Sequence, residues 1–121
     1  MQLNTLPVSI PTGGIIPPVL ASSHDFIPPL RMMIVESDSM APTLNIGDQV
    51  LFDPSIRRIT GEGVYVFRLD GLLLPRRVTF DGRSWRIGTD NRAYGEAVPV
   101  SSGSMKGLDI AGRITWMGRQ I

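Results

Sequence analysis

The sequence predicts a mostly β domain with short helical turns: a twisted, partly closed sheet carrying an extended N-terminal arm. Three observations lead there. The 121 residues include 13 Gly and 10 Pro, which favours short strands and many turns over long helices. No segment sustains the 3.6-residue apolar period of an amphipathic helix. Two Asp-Gly pairs, Asp70-Gly71 and Asp81-Gly82, lie between β-type runs, as the tips of tight hairpins do.

The elements follow in order along the chain. Residues 1–30 contain Pro7, Pro11, Pro17, Pro18, Pro28 and Pro29, so this stretch cannot be a helix. It is expected as an extended arm, pairing over part of its length as an edge strand. Its apolar residues Ile10, Ile15, Ile16, Val19 and Leu20 imply that it packs on the domain formed by residues 31–121. Met32–Val35 is a brief apolar run, and Gln49–Phe52 follows the Gly47-Asp48 turn. Gly63–Leu69 is rich in Val, Tyr and Phe. With the two Asp-Gly turns it opens a three-stranded meander over residues 63 to 89. Ile110–Met117 supplies the closing strand, after a Ser-Gly-rich loop.

Composition narrows the function. Hydrophobic residues make up 42% and charged residues 19%, enough for one packed core and against disorder. The net charge of +1 does not suggest a nucleic-acid-binding surface. Arg57-Arg58, Arg76-Arg77, Arg83 and Arg86 read as solvated arginines ahead of a phosphate-binding groove. Without cysteine, and with His24 the sole histidine, no disulfide framework, thiolate site or multi-histidine metal site exists, and no cofactor is expected. No apolar run approaches the roughly 20 residues of a membrane span. Met1–Leu6 lacks the features of a signal peptide, so a soluble cytoplasmic protein with no membrane association is expected. Trp85 and Trp116 read as core or interface aromatics before base-stacking platforms.

The most informative stretch runs from Val35 through Ser37-Asp38-Ser39-Met40-Ala41-Pro42-Thr43-Leu44 to Gly47-Asp48. Pro42 suits the first turn of a short helix, since it needs no N–H there. Ser39 then stands just before free backbone N–H groups, those of Met40 and Ala41, which could hold the oxyanion of an acyl-transfer intermediate. Capping of the turn by Ser39 is the plainer account of the same residues. Asp38 is placed either to tune Ser39 or simply to face solvent.

Ser39-Met40-x-Pro42-Thr43-Leu44 with Gly47-Asp48 resembles the nucleophile motif of the LexA/CI/UmuD self-cleaving peptidases. Signal peptidase I carries a similar segment, so the later matches decide. Val64–Leu69, Asp70-Gly71 and Leu72–Val78 resemble the hairpin that carries the family's general base. Asp90-Asn91 with Tyr94 resembles the following loop, and Ile110–Ile114 with Trp116 the closing strand. The likeness covers residues 33 to 119 and implies a LexA-type C-terminal domain.

In that family a lysine held neutral by burial accepts the serine proton. The matching position here is Arg76, within Leu74-Pro75-Arg76-Arg77-Val78. Arginine cannot act as a base near neutral pH, because its pKa exceeds about 12. Lys106, the one lysine in the chain, lies in the Ser-Gly-rich loop, and His24 lies in the arm. The dyad is therefore broken, by natural replacement or by design, and Pro75 favours the former. The family cuts itself at an Ala-Gly or Cys-Gly bond upstream of the serine. Leu6-Pro7-Val8 followed by Gly13-Gly14 resembles that region, which makes Gly13-Gly14 the candidate scissile pair, although flexible turn chemistry explains two glycines equally well.

The resemblance implies a homodimerising regulatory domain of a phage- or SOS-type repressor, tied to a helix-turn-helix DNA-binding domain and open to a RecA filament. It binds no nucleic acid directly. Two alternatives remain: an active self-cleaving serine peptidase with an unconventional base, and a signal-peptidase-like enzyme, which would need a membrane anchor and a lysine.

Overall fold

A computed structural model describes residues 29–119. The arm as far as residue 28 lies outside the described residues, and with it Gly13, Gly14 and His24. Seven strands form a single antiparallel sheet: β1 (Arg31–Ile34), β2 (Gln49–Asp53), β3 (Gly63–Leu69), β4 (Leu72–Phe80), β5 (Trp85–Gly88), β6 (Val98–Val100) and β7 (Ile110–Gly118). Their order is β1-β2-β7-β3-β4-β5-β6, so the last strand enters the middle and the sheet stays open, with β1 and β6 at its edges.

The meander expected over residues 63 to 89 is present as β3, β4 and β5. Its first turn is the two-residue loop read from Asp70-Gly71, both residues having positive φ, 51° and 80°, as a type I′ turn needs. The second connection is longer than its Asp-Gly pair suggests. Phe80 pairs with Trp85 across four residues. The Asp81 carboxylate accepts the N–H groups of Arg83 at 2.8 Å and Ser84 at 2.9 Å, and so builds the loop from its side chain. Strand β6 and the short helix α1 (Ser102–Met105) were not legible. Val98-Pro99-Val100 is too short to show alternation. Helix α1 starts where the Ser101 hydroxyl accepts the Ser104 N–H at 3.2 Å, a cap hidden in a run of serines.

Strand alternation divides the core between the two faces of the sheet. On one, Val64 and Val66 pack with Phe52, Val50 and Ile114, and Val35, Met40 and Leu44 close over them. On the other, Tyr65 and Phe67 pack with Val78 and Ile110, beneath Ile56, Ile59 and Leu108. The fully buried Tyr65 has its hydroxyl satisfied, donating to Gly61 O at 2.7 Å and accepting from Thr60 N at 3.1 Å. It thereby ties the loop before β3 to the sheet. Burying each such side chain stabilises the fold by about 1.5–3 kcal/mol relative to exposure.

β7 shifts register against both neighbours, at Leu51/Phe52 on β2 and at Val66/Phe67 on β3. Such bulges increase the local twist. Gly112 is required between them, since a Cβ there would stand 2.5 Å from the Asp53 carbonyl oxygen and the Phe52 ring. Pro75 is tolerated inside β4 because β5 pairs only from Arg77 onward, leaving that half of the strand with an open edge.

Candidate functional site

Between β1 and β2 the chain leaves the sheet, makes the Ser39 turn and returns. The foot of this loop is pinched by Val35 N–H donating to Asp48 O at 2.9 Å and Gly47 N–H to Val35 O at 2.8 Å. Asp48 is itself buried. Its carboxylate accepts the Asn45 N–H at 2.8 Å and a two-pronged contact from Arg119, with Nη2 at 2.8 Å and Nε at 3.1 Å. Arg119, followed by the Asn45 N–H, holds the Asp48 pKa below the carboxylate range against the opposing effect of burial. From below, the buried side chains of Met40 and Leu44 anchor the turn among Val35 and Val50.

Pro42 does not open a helix. Residues 39–43 are turns with a cis Ala41-Pro42 bond. Their backbone bonds are Ala41 N–H to Asp38 O at 3.1 Å and Leu44 N–H to Met40 O at 2.8 Å, with no continuing helical ladder. The Ala41 N–H is thus engaged. That of Met40 has no acceptor among the described residues.

Ser39 is 1% exposed. The structure brings it together with Arg76: the guanidinium Nη1 donates to Ser39 Oγ at 3.1 Å and to the Pro75 carbonyl at 2.7 Å. Ser37 Oγ donates to the same Ser39 oxygen at 2.8 Å and accepts the Ser39 N–H at 3.2 Å. Both partners of Ser39 Oγ are therefore donors, and its hydroxyl proton has no acceptor among them. Burial pushes the Arg76 pKa down, and Tyr94 opposes that shift. Neither Lys106 nor any carboxylate bonds to Ser39 among the described residues.

The loop between β5 and β6 holds the turn from above. Asn91 donates its backbone N–H to Ser39 O at 3.1 Å and its side-chain amide to Asp38 O at 2.9 Å. The Tyr94 hydroxyl donates to the Asp38 carboxylate, which raises the Tyr94 pKa. Asp90 joins three elements. It takes Arg77 Nε at 3.1 Å and Nη2 at 2.7 Å from β4, and Thr43 Oγ1 at 2.6 Å from the serine turn. The Arg77 contact lowers its pKa most, against burial, with Thr43 adding to the effect.

Ser37 and the clasp of Asp90, Asn91 and Tyr94 on the turn were not foreseen from sequence. The Ser-x-Ser spacing signals Ser37, by setting two hydroxyls side by side in a turn, and Asp90-Asn91 with Tyr94 was singled out as a family-like loop without its contacts to the turn. Two of the arginines read as solvated are paired with carboxylates: Arg77 with Asp90 at 2.7 Å, and Arg86 with Asp81 at 2.8 Å. Trp85 packs on Phe80, with ring centroids 5.0 Å apart. Among the described residues no group of three His, Cys, Asp or Glu side chains could hold a metal. No helix there is long and apolar enough to cross a membrane.

Comparison with known proteins adds two findings. Residues 21–118 match the family described as peptidase S24-like. A 26 kDa repressor protein of Escherichia phage HK022 is 32% identical over 65 residues, which cover 54% of this chain and 28% of that repressor.

Proposed function

Because the chain belongs to the peptidase S24-like family of LexA/UmuD/CI-type proteins, we propose that it is the regulatory C-terminal domain of a phage- or SOS-type repressor, unable to cut itself. The observation that carries the second half is the polarity of one hydrogen bond. Self-cleavage needs a base to take the Ser39 proton as Oγ attacks a peptide carbonyl. Arg76 occupies that place and donates to Ser39 Oγ at 3.1 Å. A guanidinium would stabilise an alkoxide once formed, but it has no lone pair with which to form one. Met40 N–H remains available to the oxyanion of an attacked carbonyl, whereas the Ala41 N–H is already held by Asp38 O at 3.1 Å.

In this reading residues 1–30 are the arm, Gly13-Gly14 is the vestigial cleavage position, and residues 31–121 are the regulatory domain. The domain pairs with a second copy through its closing strand in the cytoplasm and makes no direct contact with nucleic acid. The matched repressor is more than three times the length of the matched stretch. That leaves room for a helix-turn-helix domain in a protein of that kind, and linking two half-site binders raises affinity through effective concentration.

The test is prolonged incubation at pH about 10, where a lysine would be largely deprotonated, followed by intact mass spectrometry. The wild type stays whole, and Arg76→Lys is cut near Gly13-Gly14. Self-cleavage of the wild type that Ser39→Ala abolishes would overturn the proposal and restore the active-peptidase alternative.

A further inference from the structure

Three arginines bond to the Ser39 loop or to the residues that clasp it, and one of the three leaves its Nε and Nη2 edge unpaired. Arg77 applies its Nε and Nη2 edge to the two oxygens of Asp90, at 3.1 and 2.7 Å. Arg119 applies the same edge to Asp48, at 3.1 and 2.8 Å. Arg76 turns Nη1 inward to Ser39 Oγ and the Pro75 carbonyl. Its Nε and Nη2 find no acceptor, and no carboxylate pairs with it, among the described residues. The carboxylates that clasp the Ser39 turn are already engaged, Asp90 by Arg77 and Thr43, and Asp38 by Tyr94.

We propose that the Nε and Nη2 edge of Arg76 is a binding site for a peptide carboxylate. The two inward bonds fix the plane of the guanidinium, so its outer edge is oriented before any ligand arrives. A planar carboxylate matches that edge with two parallel hydrogen bonds. A half-buried cation also gains more from a counter-charge than a fully solvated one does. The site converts the position of a lost base into a receptor for the end or side chain of a peptide. It rests on the proposed function only in taking the carboxylate to be peptide-borne. The recognition chemistry stands whether or not the chain can cut itself.

Two sources of carboxylate are open: a free chain terminus, and Asp25, the one acidic residue in residues 1–28. The experiment follows the arginine Nε–H signals of the full chain by NMR. N-acetylglycine, which mimics a peptide terminus, is titrated against its neutral amide at constant ionic strength. Loss of one signal in Arg76→Gln assigns Arg76. A saturable shift of that signal with the acid and not the amide, with Arg77 and Arg119 unmoved, supports the site and a free terminus as its ligand. A wild type that is silent while Asp25→Asn responds to the acid supports the site with Asp25 as its native occupant. Silence in both proteins, an equal response to the amide, or equal movement of all three arginines overturns the proposal. Because the readout involves no cleavage, it can fail while the inert-peptidase reading holds, and the reverse.

Discussion

The hairpin tip at Asp70-Gly71 and the turn at Ser39 both reverse the chain, and they are held in opposite ways. The tip is a local solution. Two residues with positive φ close it, and its flanks Leu69 and Leu72 are exposed. The Ser39 turn is assembled from a distance. Arg76 reaches it from 37 residues away, Asp90 from 47, Asn91 from 53 and Tyr94 from 56. A local turn can be copied anywhere, whereas an assembled one depends on every element that meets it. Next to Arg76 on the same strand, Arg77 holds Asp90, which in turn accepts from Thr43 of the turn.

The sharpest way to break this contrast is to remove the apolar anchor of the assembled turn. Met40 is fully buried, and Met40→Ala is expected to cost about 3 kcal/mol in urea unfolding. A loss below about 1 kcal/mol, the level of a minor core change, would mean that the polar clasp alone suffices. The clasp comes next. Arg77 is 36% exposed in its pair with Asp90, so solvent screening reduces the expected cost of Asp90→Asn to about 1–2 kcal/mol at pH 7.

The same variant carries a pH signature. Asp90 and Asp48 are both held below their ordinary pKa. Their contribution is complete above the unfolded value of about 4 and fades as pH falls through the folded value. The wild-type Tm should therefore drop on acidification below pH about 4, and Asp90→Asn should shallow that drop. An unchanged slope would remove Asp90 from the account. Smallest is the local turn. Gly71→Ala forces an alanine to a φ of 80°, at a cost of about 1 kcal/mol, with no effect on the Ser39 turn as read by its amide exchange.

The same contrast explains what could be read in advance. Gly63–Leu69, Asp70-Gly71 and the strand after it were legible because alternation and turn chemistry are properties of neighbouring residues. The approach of Ser39 to position 76 came from resemblance, since nothing local in Ser39-Met40-Ala41-Pro42 points to a residue 37 positions on. The clasp was opaque for a related reason. Asp90-Asn91 with Tyr94 stood out by resemblance as a loop, but their contacts with the turn arise only when β4 and β5 bring them over it. Asp48 looked like half of a Gly-Asp turn, and its burial against Arg119 follows only from β7 entering the middle of the sheet beside β2.

That last contact gives the serine loop a mechanical connection. The carboxylate of Asp48 grips Arg119, just past the end of β7, and the Asn45 N–H at the loop's foot. Arg119 also donates to Thr43 O at 3.5 Å, and Gly118 pairs with Gln49, so tension at the Arg119 end of β7 reaches the loop carrying Ser39 through these contacts together with the Asp48 carboxylate. Whatever takes hold of the chain there, whether a surface tether or a second molecule, pulls on the serine without touching it.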